Sequence, residues 1–266
     1  MTDEKIRLGG MALQNGVLVH GPTAWALAVR TPEGELKVAS GRKRLRGANV
    51  TSPLLRGPAR LADAMLLLPR IRRALPEARL PFERPAVLGA MLATGIAVRA
   101  LRDSQRLGPL TRELLAGSLS LAPAALALRG SSLAAYHGAE HISIGTYEHG
   151  EPRGKEHERC GSHLIGPLLL TSAIGATVAS KAPAALRGVA RLAASVAAVA
   201  TATEVFSWMV RHPSHPVAKA LAMPGHELQH RLATAEPDPA QLEVAEAALK
   251  ACLELEEDGA HNPNRG

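Results

Sequence analysis

Aromatic residues are almost missing from this chain: two Trp, two Tyr and two Phe make up 2% of its 266 residues. Base-stacking platforms for nucleic acid, and paired aromatic belts at the two faces of a bilayer, need more rings than that. Cysteine is scarce as well. Cys160 and Cys252 stand far apart in unlike contexts, so no disulfide framework is legible and a reducing, cytosol-facing setting fits. The opening stretch from Met1 to Leu8 is charged and has no apolar core, so no cleavable signal peptide is expected. Membrane insertion would then rely on internal segments.

What the chain does have is apolar bulk and one concentrated run of positive charge. Hydrophobic residues make up 46% of it, enough for a sizeable core, which excludes disorder for most of the length. The formal charge is +7, yet Arg42 to Arg73 alone holds nine Lys or Arg against the single acid Asp63. The rest is close to neutral. Such a patch faces phosphate, either lipid headgroups or nucleic acid, or else is a solvated basic face. With so few rings for stacking, the nucleic-acid reading is the weaker one and no nucleic-acid partner is expected.

Residues 9 to 40 read as β structure. Trp25 to Arg30 and Glu35 to Ala39 flank Pro32-Glu33-Gly34, which predicts a small hairpin. From Pro53 to Leu75 leucines alternate with arginines, as in an amphipathic helix lying on a bilayer surface or on a core. Four apolar stretches follow: Ala86 to Val98, Leu114 to Leu128, Leu164 to Ser180 and Leu192 to Val210. Spanning takes about 20 residues, so the last two qualify and the first two are re-entrant or extended by snorkelling arginines. A buried soluble bundle is the alternative. The positive-inside rule holds the basic segment, and with four spans the C-terminus, on the cytoplasmic side, although the Arg-rich connection from Arg99 to Arg112 runs against that count. Asp238-Pro239 opens a final amphipathic helix with Leu242, Ala245, Leu249 and Cys252 on one stripe.

The resulting expectation is a mainly α, membrane-embedded helical bundle. It divides into an N-terminal β-hairpin and basic segment (1–52), a helical membrane domain (53–235) and a C-terminal amphipathic helix with a polar tail (236–266).

The sharpest chemical feature is His137-Gly138-Ala139-Glu140-His141. On a helix, positions i, i+3 and i+4 share one face, so both imidazoles can reach one metal with the carboxylate beside it. This is the inverted zincin pattern, two His ligands and a Glu as general base. A catalytic zinc wants a third protein ligand, and Glu204 is the candidate, since a carboxylate inside an apolar run needs a cation, a metal or a proton. Five of the eleven histidines fall between His137 and His163, with Glu148, His157 and Cys160 near enough in sequence to line or support the site. His226-Glu227-Leu228-Gln229-His230 formally reads as the ordinary zincin motif, but a short helix between loops is poor support for it. Surface or core histidines, a packing glutamate at 204 and a structural Cys160 are the plain alternatives at each position.

Taken together, several blocks resemble the YqhQ-like bacterial family (DUF1385). These are Gly9-Gly10, Asn15-Gly16-Val17, Gly21-Pro22, Trp25 to Arg30, Leu55-Arg56-Gly57, Tyr136 to His141, Tyr147-Glu148, His157 with Arg159-Cys160-Gly161, Pro224-Gly225, and Glu236-Pro237. The chain departs from it at Met11, Asn15 and His20, where members typically have Gln, Glu and Arg. The resemblance implies a multi-pass membrane protein with a metal-dependent activity and no established reaction. Two functions follow as expectations. One is a zinc-dependent membrane hydrolase with His137, His141 and Glu204 as ligands and Glu140 as general base. The other is a non-catalytic membrane scaffold or assembly factor with a structural polar or metal cluster. The bilayer and its anionic headgroups are the expected partners, the latter through residues 42–73.

Overall fold

The computed structural model describes residues 5–43, 47–104 and 106–261. Arg44 and Arg46 of the basic run lie outside the described residues.

The N-terminal β structure is larger than a hairpin. Four strands, β1 (Gly9–Leu13), β2 (Gly16–His20), β3 (Ala24–Arg30) and β4 (Leu36–Arg42), form an antiparallel meander in the order β1-β2-β3-β4. The predicted hairpin is its β3–β4 half, with Arg30 facing Leu36 across the Pro32-Glu33-Gly34 turn. Strands β2 and β3 read Gly-Val-Leu-Val-His and Ala-Trp-Ala-Leu-Ala-Val-Arg, nearly continuous apolar runs. Such runs mark strands buried on both faces. One face, with Val17, Val19, Ala26 and Ala28, packs on α5 (Ser132–His149) and α9 (Pro239–His261). The other, with Leu18, Trp25, Leu27 and Val29, packs on Leu67, Ile71 and Leu75 from α1 (Arg56–Ala74) and its end. The sheet is therefore the middle layer of a helix–sheet–helix sandwich.

Helix α9 begins where the sequence says it should. Asp238 Oδ1 accepts from Gln241 N at 2.8 Å and Gln241 Oε1 from Asp238 N at 2.9 Å, a reciprocal cap. Its far end is tied to the β2–β3 turn through Glu256, whose carboxylate accepts from Thr23 N, Thr23 Oγ1 and Ala24 N, each at 2.7 Å.

The remaining helices form the apolar half: α2 (Pro85–Asp103), α3 (Pro109–Leu119), α4 (Ala122–Leu128), α6 (Ile165–Ser180), α7 (Arg187–Arg211) and α8 (Pro216–Leu228). Among the described residues, three stretches are long and apolar enough to cross a membrane: Pro85–Asp103, Gly161–Ser180 and Ala184–Arg211. For the first of these the alternative that fits is a stretch extended by arginines, since the helix continues past Val98 through Arg99 and Arg102 to Asp103. The second apolar stretch instead breaks between α3 and α4, and the chain then turns by 92° into α5. We place α5 with the sheet, outside the spanning segments, because its apolar side chains are covered by β1, β2 and α9. Large apolar side chains stay uncovered on the spans, Leu92 and Ile96 at 72% exposure and Val189 and Leu192 at 69%. Exposed apolar side chains of this size are consistent with a bilayer around these helices. Helices α6 and α7 run antiparallel, held by Thr171 Oγ1 donating to Ala198 O at 3.1 Å and by Gly175 seated against Ala194.

Candidate metal centre

Helix α5 carries His137, Glu140 and His141 on one stripe, and two glycines let that stripe be enclosed. A Cβ on Gly138 would come within 2.1 Å of Ala235 O, so only glycine admits the 233–235 segment this close to the helix. That segment supplies Ala233 O, which takes a hydrogen bond from His137 Nδ1 at 2.8 Å. On the other side a Cβ on Gly10 would meet Glu140 Oε1 at 2.2 Å and its Cγ at 2.6 Å. The bare backbone of β1 is what makes room for the carboxylate.

The tautomers follow from the hydrogen bonds. His137 Nδ1 faces Ala233 O and His141 Nδ1 faces Lys155 O at 2.7 Å. A carbonyl only accepts, so in both rings Nδ1 carries a proton, and in the neutral imidazole Nε2 is the nitrogen left with a lone pair. Backbone partners of this kind orient metal-ligating imidazoles. His157 is wired the other way. Its Nδ1 accepts from Arg159 N at 3.1 Å, so Nε2 is the protonated nitrogen, and it lies 3.3 Å from Glu148 Oε2 without good hydrogen-bond alignment.

Cys160 completes a three-donor group: ligand atoms of His137, His141 and Cys160 all lie within 4.8 Å of one another. The Cys160 Sγ to His137 Nε2 distance is 3.6 Å. A tetrahedral zinc with bonds of about 2.05 Å to nitrogen and about 2.3 Å to sulfur separates such donors by roughly 3.6 Å. Ser162 N donates to Cys160 Sγ at 3.5 Å. The residues present fit a divalent transition ion with imidazole and thiolate ligands.

Glu204 is not part of this group. Its carboxylate is gripped by Arg56 through both Nε, at 2.7 Å, and Nη2. The adjacent Gly57 is packed so tightly on Thr203 that a Cβ there would overlap its hydroxyl. An acid in an apolar helix does need a cation, and here α1 brings it as a guanidinium. The third donor is Cys160, which sequence reasoning placed among the supporting residues. Its signal was its position, at the mouth of the apolar stretch that follows the His pair.

Glu140 is buried, and burial raises its pKa above the usual carboxylate range, with the nearby His137 and His157 pulling the other way. Glu148 goes down instead: burial would raise it, but His157 and the Arg159 guanidinium, at 2.8 Å, outweigh that. Glu148 thus anchors the 157–160 loop rather than facing the donors. Gln229 fixes the same loop from behind, accepting from His157 N at 2.9 Å and donating to Ser162 Oγ at 2.8 Å. The neighbouring His226 and His230 are exposed and turn to Glu156, at 3.7 and 2.7 Å, while Glu227 pairs with Arg231.

Residues 131–255, which span α5 through most of α9, match the family model described as Protein of unknown function (DUF1385). Over that stretch the chain is similar to the DUF1385 family. No curated protein and no solved structure matches it. All three donors and Glu140 fall inside the DUF1385 segment, and the sheet that packs on it lies before it. Asn15, one of the departures, holds loops together: its amide donates to Arg30 O and Glu77 O, both at 3.0 Å, and its Oδ1 accepts from Arg79 N at 2.9 Å.

Proposed function

We propose that this protein is a membrane-embedded metalloenzyme, a hydrolase in which His137, His141 and Cys160 hold a divalent ion, zinc being the best match to the donor set. The single observation carrying the reading is the pair of imidazoles locked with Nε2 lone pairs free beside a thiol, next to a buried carboxylate. An ion held there would lower the pKa of bound water and polarise a carbonyl or phosphoryl oxygen. Glu140 serves as general base, its raised pKa bringing it nearer the working pH of proton transfer. His157 and Glu148 keep the Cys160 loop in register. The three stretches long and apolar enough to span support a cell-membrane location, and the basic segment 42–73 supports a cytoplasmic sheet layer, meeting anionic headgroups alongside exposed Leu61, Met65 and Leu66 of α1.

Metal analysis of the purified protein tests this. The expected result is one ion per chain, lost in His137→Ala, and a thiolate-to-metal absorption band after cobalt substitution that disappears in Cys160→Ser. Sub-stoichiometric metal that is unchanged in both variants rejects the proposal. Metal retained together with full complementation of a deletion by Glu140→Gln would leave a structural metal knot of a scaffold.

A further inference from the structure

The donors and Glu140 line a cavity of about 490 Å³ whose lining is otherwise largely apolar. Met11, Pro81, Ala124, Ala127, Leu128 and Leu133 are among its apolar members, so the polar donors and a set of alkyl side chains share one chamber. Its place in the molecule is fixed by the chain. Pro81 immediately precedes the span that begins at Pro85, and Gly161, another lining residue, is where the Gly161–Ser180 stretch begins. The cavity therefore lies beside the starts of two of the stretches long and apolar enough to span. Three of those apolar residues, Ala124, Ala127 and Leu128, belong to α4, the continuation of the apolar α3, and Ala124 is exposed.

We infer that the substrate of this site is a membrane amphiphile. Its acyl chain lies along α4 while the bond to be cleaved sits against Glu140. This deepens the hydrolase reading and rests on it. A water-soluble substrate would have to strip water from polar groups against these alkyl side chains, whereas an acyl chain arriving from the bilayer exchanges one apolar surrounding for another. The volume falls within the range of small-ligand sites.

The test uses the full-length protein in detergent micelles, with a diazirine-bearing palmitate as photo-crosslinking probe and peptide mass spectrometry as readout. Metal content is measured on the same preparation. Crosslinks are expected on 124–128 and on 8–12, besides those on the uncovered faces of α2, α6 and α7. Ala124→Phe should reduce the cavity crosslinks at least fivefold and leave the outer ones unchanged. Ala127→Phe is the second, more buried variant, read against the same internal control. Labelling confined to the outer faces overturns the inference, and does so without touching the hydrolase reading if the ion is present. Cavity labelling in protein that binds no ion shows the reverse failure: an acyl site stands and the metalloenzyme falls.

Discussion

Gly10 lies outside the family-matched segment, yet its missing side chain decides whether Glu140 can occupy its place. A methyl group built on Gly10 would stand 2.2, 2.4 and 2.6 Å from Oε1, Cδ and Cγ of Glu140. Ordinary carbon–oxygen contacts are near 3.3 Å, so the carboxylate has to retreat by about 1 Å. Because Cγ is also too close, turning the carboxylate alone gives no relief. Either the whole side chain swings to another rotamer or β1 lifts away from α5. Overpacking of this kind costs about 1–3 kcal/mol. Gly10→Ala should therefore lower stability by that amount and displace Glu140, with the metal content unchanged, since none of the three donors is touched. A double-mutant cycle by denaturant titration in mixed micelles isolates the contact: in a Glu140→Ala background, Gly10→Ala should be nearly neutral, giving a coupling of about 1–3 kcal/mol. Equal costs in both backgrounds would refute the steric argument.

Three further outcomes are expected. Lys43 and Asp63 form a buried pair, 3% and 7% exposed and 3.1 Å apart, so Asp63→Ala strands an ammonium and should cost about 3–5 kcal/mol by chemical denaturation. His20 has its pKa lowered to about 4 by burial and the adjacent Lys43 charge, so the folded state holds it neutral. Its stabilising share is complete above pH 6.5 and is lost as pH falls towards 4. At about 1.4 kcal/mol per unit the limit is roughly 3 kcal/mol, and His20→Gln should flatten the stability profile in that window. Glu256→Ala removes the acceptor of three 2.7 Å hydrogen bonds and should cost roughly 1.5–3 kcal/mol, with faster amide exchange at Thr23 and Ala24 as the local readout.

Local pattern in the amino-acid order determined a good deal by itself. Helix spacing alone put His137, Glu140 and His141 on one stripe, Asp238-Pro239 fixed the start of α9, and apolar length marked the two late membrane stretches. The four-stranded sheet was partly hidden because β2 and β3 are buried on both faces and so lack the alternation that announces a half-exposed strand. The ligand partner was beyond reach for a different reason. A buried carboxylate announces that it needs a cation but not which one, and only the docking of α1 on α7 gave Glu204 to Arg56. The same holds for Cys160, whose thiol is brought to the histidines by a loop pinned through Gln229, more than 60 residues further along the chain. One-dimensional spacing records what a single helix can do. Which side chains meet across elements was decided by the packing of backbone on backbone, at Gly10 and Gly138, where the absence of a Cβ sets the approach.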